Sequence, residues 1–342
     1  MDFSAIVMWL GFFLAAYSVV GNDVIQTLGT FLTSNEKNQK WYVLWLYAAG
    51  IAAVVLIIGY MQTDISYGRL SKFVMPETYQ WYYLLPPIVL LIITRFGIPV
   101  STTFMILTLF SLQKIPNDLG SMISSVFNTD TELGGMIQKS IMGYIIAISS
   151  SIIIYLLITR LTEKRFMANP MQNGRERMFW TAAQWMSTGF LWSQWLIQDL
   201  ANVYIYLRGG YELTTGSFII SLVILLGLLA YIFHARGGAV QDVVRAKVNT
   251  ADIRSATFVD LIYGIILYIF KYDYFGLWGG KLPMSTTWVF IGLLAGREIA
   301  IRFQIESNWK STINMILADL GKVFFGLLIS VILVFIIKLL AA

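Results

Sequence analysis

Pro99-Val100-Ser101-Thr102-Thr103 and Pro283-Met284-Ser285-Thr286-Thr287 repeat one short pattern inside hydrophobic sequence, about half the chain apart. Each is preceded by an aspartate flanked by amides: Asn22-Asp23 with Gln26 in the first half, Gln198-Asp199 with Asn202 in the second. The aspartates are 176 positions apart and the leading prolines 184. Features that keep nearly one offset mark an internal duplication, and polar motifs within apolar sequence place it in a membrane.

Composition leads to the same class. Of 342 residues, 57% are hydrophobic and 13% charged, whereas soluble domains carry roughly a quarter charged residues. Apolar runs of the roughly 20 residues needed to cross about 30 Å of hydrocarbon recur along the whole chain and leave no room for a separate soluble domain. The run 6–20 has a leader with Asp2 and no Lys or Arg, and it continues into Asn22-Asp23; it reads as a retained first helix, not a secretory signal. Cysteine is absent and His234 is the single histidine, which excludes disulfides, thiolate metal sites and histidine metal clusters. The net charge of +5 resides in loops, where membrane orientation explains it better than nucleic acid does.

Apolar length predicts helices at about 4–33, 43–61, 140–160, 179–206, 214–233 and 321–340. Segments 81–112 and 256–297 are interrupted, the first by Arg95-Phe96-Gly97-Ile98-Pro99 and the second by the glycine-rich stretch 275–283. Proline lacks the donor and glycine loses most entropy when fixed, so each segment is predicted to enter the membrane and turn back. Each half then crosses three times, and the second must run inverted. The expected fold is an all-α integral membrane protein with inverted-topology repeats, each with transmembrane helices and a Pro/Gly-broken helical hairpin. Residues 1–160 form the first repeat and 179–342 the second, joined by a cytoplasmic linker, 161–178, with the turn pairs Asn169-Pro170 and Asn173-Gly174. Putting both termini outside leaves 15 Lys and Arg in and beside the inside loops against 6 outside: Arg69, Lys72, Lys114, Lys139, Arg208 and Lys338. That bias favours this orientation. Residues 64–72 are a candidate surface helix.

A carboxylate at membrane depth is costly unless paired, hydrated or coordinating a cation, so Asp23 and Asp199 call for a function. In both motifs the aspartate and the amide three residues later share a helical face. Such oxygens suit a hard cation such as Na⁺, and the amide N–H groups can donate to an anion. Thr27, Thr30 and Ser193 are placed to add hydroxyls. The prolines fit the first turn of a helix. Ser101, Thr102, Thr103 and Ser285, Thr286, Thr287 then present hydroxyls and backbone N–H groups at helix amino termini, an oxyanion site. Arg95 and Lys281, just before the prolines, are second-rank anion-binding candidates, with snorkelling as the alternative. Paired aspartates without histidine or cysteine argue against an enzyme.

The motifs VGNDVIQ (20–26), WLIQDLAN (195–202), PVSTTF (99–104) and PMSTTW (283–288) together resemble the inorganic phosphate transporter family. Its halves carry GANDVAN-type and P-[IV]-S-T-T-H signatures in an inverted repeat. The resemblance implies secondary transport of inorganic phosphate, coupled to Na⁺ or H⁺, and a homodimer; the predicted orientation suggests the cytoplasmic (inner) membrane. It assigns substrate binding to Asn22, Asp23, Ser101, Thr102, Asp199, Asn202, Ser285 and Thr286, and places the substrate between hairpin tips and aspartate helices. Gln26, Thr103, Gln198 and Thr287 complete the substrate-binding set, and Asp23 and Asp199 are the cation-coupling pair, with sodium as a possible ion. No further cofactor is expected. Departures are Gln26 and Gln198 for asparagine, Leu196 and Ile197 for small residues, and Phe104 and Trp288 for the terminal histidines. Phosphate near neutral pH can still donate a proton to a carboxylate, which sulfate cannot, so two aspartates favour phosphate. A sulfate or thiosulfate permease on the same fold, an anion channel and a non-transporting sensor are the alternatives.

Overall fold

The computed structural model describes residues 2–95, 100–113, 118–158, 171, 174–211, 213–236, 253–273, 276, 280–302 and 309–341. Among them every regular element is helical. Five helical stretches are long and apolar enough to cross a membrane: Phe3–Val24, Trp41–Met61, Gly120–Leu156, Thr215–His234 and Thr312–Leu340. Their outward faces carry Leu46, Val54, Ile153, Val223, Leu328 and Leu339, all exposed, as lipid contact requires.

In chain order the helices are α1 (Phe3–Val19), α2 (Ile25–Asn35), α3 (Trp41–Met61), α4 (Leu85–Arg95), α5 (Thr102–Ser111), α6 (Leu119–Phe127), α7 (Glu132–Ile158), α8 (Gly174–Tyr204), α9 (Thr215–His234), α10 (Ile253–Tyr272), α11 (Thr286–Arg302) and α12 (Trp309–Ala341). The stretch predicted as one helix, 4–33, contains a π-helical turn at Val20–Val24, which holds Asn22 and Asp23. Such wide turns recur at functional sites because they re-aim side chains. Both interrupted segments do break. The first stops at Arg95 and restarts at Thr102, the second stops at Tyr272 and restarts at Thr286. Residues 96–99, 274–275 and 277–279 of the two breaks, and most of the predicted linker, lie outside the described residues.

α10 ends because Asp273 turns left-handed (φ 41°) and its carboxylate accepts the Gly280 N–H at 2.7 Å. Gly280 itself has φ +73°, which a side chain would make strained. α5 and α11 start alike: Ser101 accepts the Phe104 N–H at 3.2 Å, and Ser285 the Trp288 N–H at 3.3 Å. Both serines are N-caps.

α8 is the central helix, buried from Leu196 to Tyr204 and packed along α10, with α1, α2, α3 and α5 around it. Glycines set the closest approaches. A Cβ on Gly264 of α10 would meet Leu191 Cα at 3.2 Å, and one on Gly296 of α11 would meet the Ile148 carbonyl of α7 at 2.5 Å. Close backbone approach at small residues is the usual way membrane helices pack.

Two readings are corrected. Residues 64–72 form a run of turns, not a surface helix, with Ser66, Arg69 and Leu70 buried. α7 begins at Glu132 rather than near 140, so Lys139, counted above as a loop charge, is a buried residue of a helix. Apolar-length reading starts a helix at its first long apolar run and cannot see the polar turn before it.

Candidate functional site

The π turn, the last turns of α8 and the starts of α5 and α11 meet in the protein interior. Twelve predicted substrate-binding residues, Asn22, Asp23, Gln26, Ser101, Thr102, Thr103, Gln198, Asp199, Asn202, Ser285, Thr286 and Thr287, are each at most 4% exposed. Asp23 accepts the Thr102 hydroxyl on one carboxylate oxygen and the Asn22 amide, at 2.7 Å, on the other. The same Asn22 amide donates to the Val100 carbonyl at 2.8 Å, tying the π turn to the first hairpin tip. Across the centre, Asp199 Oδ1 accepts from the Asn202 amide at 2.9 Å and from the Thr103 hydroxyl at 3.3 Å. The Asn202 amide also lies 3.1 Å from the hydroxyls of Thr102 and Thr103. The i to i+3 spacing of Asp199 and Asn202 thus aims both side chains of α8 at the start of α5.

The two tips also touch each other, and do so reciprocally. Thr103 Oγ1 lies 3.4 Å from the Met284 carbonyl, and Thr287 Oγ1 lies 3.5 Å from the Val100 carbonyl. The third residue of each Ser-Thr-Thr triplet meets the residue before the triplet of the other. One position further on, the Phe104 and Trp288 rings meet edge to face with centroids 5.7 Å apart.

Several polar atoms in this centre are buried without a hydrogen-bond partner: Asn22 Oδ1, Gln198 Oε1, Asp199 Oδ2 and Asn202 Oδ1, all acceptors as placed, and Gln26 Nε2. Buried polar atoms without partners are rare, because each forfeits its desolvation energy. Unpartnered acceptors beside two carboxylates make a centre rich in oxygen lone pairs, the chemistry that attracts a cation. A cavity of about 30 Å³ reaches Asp199 but is walled by Val20, Val24, Leu196, Leu200 and other apolar side chains. That volume is too small for a tetrahedral oxyanion.

Other predicted residues lie elsewhere. Arg95, at the end of α4, and Lys281 are both exposed. Of the three added hydroxyls, Thr27 bonds the Asp23 carbonyl at 3.1 Å, Ser193 bonds the Phe190 carbonyl at 2.7 Å, and Thr30 serves Asp260.

Sequence reading missed two buried basic side chains that hold the second hairpin. Lys139 Nζ donates to the carbonyls of Gly280 (2.7 Å) and Leu282 (3.0 Å), and Arg69 Nη1 to those of Lys281 and Leu282, both at 3.2 Å. Burial pulls the Arg69 guanidinium down to about 10, with Asp199 opposing the drop, so it stays charged at neutral pH. Arg69 donates to Leu282 as well, so Lys139→Met strips only the Gly280 carbonyl of its side-chain donor. The expected loss is about 1–3 kcal/mol, read as a lower thermal midpoint of intrinsic tryptophan fluorescence in detergent. An unchanged midpoint would show that Lys139 does not hold the loop. The signal available in sequence was a lysine followed by apolar residues at helical length.

Comparison of the chain with known protein families, with curated proteins and with solved structures yields no match.

Proposed function

We propose that this protein is an ion-coupled secondary transporter of inorganic phosphate, built from two inverted-topology repeats, 1–160 and 179–342, with 161–178 as a cytoplasmic linker. It works by alternating access in the cytoplasmic membrane with both termini outside. The observation that carries this reading is the reciprocal contact of the two tips, Thr103 to Met284 and Thr287 to Val100, beside the paired carboxylates Asp23 and Asp199. Two equivalent broken helices that meet tip to tip at buried charges are what a duplicated carrier places around a midplane substrate site.

The chemistry divides between the two kinds of group. Thr102, Thr103, Thr286 and Thr287, with the first-turn amides of α5 and α11, supply donors and positive helix ends for an oxyanion. Asp23, Asp199 and the unpartnered amide oxygens supply acceptors for the cation carried with it, and for a proton that phosphate itself retains. Binding exchanges the Thr102–Asp23 and Thr103–Asp199 contacts for contacts to substrate, which links occupancy to the relative position of hairpins and aspartate helices.

Sulfate is the competing substrate, and one observation favours testing it: the Gln198 amide reaches the Leu267 carbonyl at 3.3 Å instead of the facing tip, so the second half of the pocket departs from the first. Purified protein in proteoliposomes, given labelled phosphate and imposed Na⁺ or H⁺ gradients, is expected to show saturable, gradient-dependent uptake that excess sulfate leaves unchanged. Labelled sulfate accumulating in place of phosphate would overturn the substrate, and no movement of either anion would overturn the transporter reading.

A further inference from the structure

A third buried carboxylate lies outside the aspartate pair. Asp260 of α10 is 1% exposed, accepts the Thr30 hydroxyl of α2 on one oxygen at 2.5 Å, and accepts the Thr188 hydroxyl of α8 on the other, also at 2.5 Å. Thr30 follows Asp23 by seven residues and Thr188 precedes Asp199 by eleven. At 1.5 Å per residue those are two and three helical turns, so Asp260 stands ~10–16 Å along the α2–α8 seam from the paired aspartates. It lies toward the end of α2 and the starts of α8 and α10, the ends that the proposed orientation puts inside. The seam stays polar beyond it, where the Asn35 amide donates to Gln184 at 2.8 Å and the Trp185 N–H donates to Asn35 at 3.2 Å. On the other side, Tyr263, one turn after Asp260, donates to the Thr286 carbonyl at 3.0 Å.

No Lys, Arg or His among the described residues hydrogen-bonds or ion-pairs with Asp260. Ionisable groups on the surrounding elements are Tyr47 of α3, Tyr263 and Arg254 of α10, and Asp23 and Asp199 further along the seam. Arg254 pairs with Glu176 at 3.8 Å. Arg297 and Tyr155, from α11 and α7, lie against the other face of α10 beside Val259 and Ile262.

We propose that Asp260, with Thr30 and Thr188, is a proton-binding site through which the coupling proton passes between the inside aqueous phase and the substrate centre. This rests on the transporter reading above. The geometry favours a proton over a metal cation. Both hydroxyls already touch the carboxylate at hydrogen-bond distance, whereas a sodium ion shared by carboxylate and hydroxyls needs those oxygens spread around it. The site can also change protonation without stranding a polar atom. Ionised, the carboxylate accepts from both threonines. A proton from water then forms an O–H bond on one carboxylate oxygen, which donates to its threonine. That threonine's hydroxyl turns to the carbonyl four residues back, Gln184 for Thr188 or Gln26 for Thr30. Release returns the proton to water and restores the first arrangement. Thr30 belongs to the first half of the chain, and Thr188 and Asp260 to the second, so rocking of the halves makes or breaks one of the two contacts and ties protonation to access.

The test combines infrared spectroscopy with transport. Wild-type protein titrated across neutral pH should show the carbonyl stretch of a protonated carboxyl group, lost in Asp260→Asn and kept in Asp23→Asn and Asp199→Asn. In proteoliposomes Asp260→Asn should accumulate phosphate on a proton gradient about tenfold less than wild type, yet exchange internal for external phosphate at near wild-type rates, because exchange needs no net proton movement. Should Asp260→Asn fail to assemble, Thr188→Val keeps the carboxyl and removes one donor to its ionised form. The band's midpoint should then move to higher pH. A band indifferent to Asp260→Asn, or full proton-driven accumulation by that variant, overturns the proposal. A wild type that moves no phosphate overturns the transporter reading, while the infrared titration still decides whether Asp260 binds the proton.

Discussion

Asp23→Asn and Asp199→Asn are each expected to weaken phosphate uptake roughly 10- to 100-fold, since a hydrogen bond to a charged group is worth about 1.5–3 kcal/mol and 1.4 kcal/mol is tenfold. The two variants should differ in kind. Asp23 has both oxygens engaged, by Thr102 and by Asn22, so the amide nitrogen of Asp23→Asn faces a donor and the π turn loosens. That variant is expected to lose thermal stability by about 1 kcal/mol along with transport. Asp199 has Oδ1 engaged and Oδ2 buried without a partner. An amide there keeps an oxygen for Asn202 and Thr103 and brings its nitrogen, as a donor, to a centre full of acceptors, so Asp199→Asn should be at least as stable as wild type while losing transport. That is the trade expected where a strained group serves function. The measurements are uptake against substrate and driving-ion concentration, paired with thermal midpoints in detergent. Normal uptake by both variants with unchanged ion dependence would remove the aspartates from the coupling role.

The features legible in the sequence were those whose signal is local. Proline at 99 and 283 and the glycines before them mark a helix break wherever they fall in an apolar segment, and both breaks are present. Asp23 and Asp199 announce themselves because a carboxylate inside apolar sequence needs a reason. By the same rule Asp260, within Phe258-Val259-Asp260-Leu261-Ile262, was visible. It lacks a matching aspartate in the other half, so the repeat does not single it out.

What could not be read was register between distant helices. Thr30 reads in the sequence as an added hydroxyl for the aspartate motifs; which carboxylate it serves depends on where α10 crosses α2, about 230 positions along the chain. Arg69 and Lys139 carried charge and were assigned to water, whereas their partners are the carbonyls of 280–282, stripped of helical donors by the very break that the sequence predicted. A broken helix in a membrane leaves carbonyls that something must satisfy, and buried basic side chains from α7 and from the 62–80 connection do so here. The reciprocal tip contacts and the Phe104–Trp288 pair likewise follow from the meeting of two halves, which a motif read singly does not contain.

Gly296→Leu is expected to be the most damaging single change in the α7–α11 interface, lowering stability by about 1–3 kcal/mol or more and silencing uptake. A Cβ on Gly296 alone would stand 2.5 Å from the Ile148 carbonyl and 2.7 Å from Ser151 Cβ, and one on Gly292, a turn earlier, 2.7 Å from the Tyr144 carbonyl. The two carbonyl oxygens are backbone atoms of a neighbouring helix, and Ser151 Cβ is fixed directly to that backbone, so relief requires α11 to move bodily away from α7. The Ser151 hydroxyl, which donates to the Leu293 carbonyl at 2.8 Å, would lose its acceptor in the process. Because α11 begins with Thr286 and Thr287, the displacement is carried to the second tip and to its contact with Val100. Gly296→Ala should show a smaller loss of the same sign. The control is Gly227→Ala in α9, where a Cβ meets nothing within 4 Å. That change should be neutral or stabilising by up to about 1 kcal/mol, as alanine for glycine is in an open helical position. Thermal midpoints and size-exclusion profiles of the three variants decide the matter: equal behaviour of Gly296→Ala and Gly227→Ala would mean that α7 and α11 do not pack this closely.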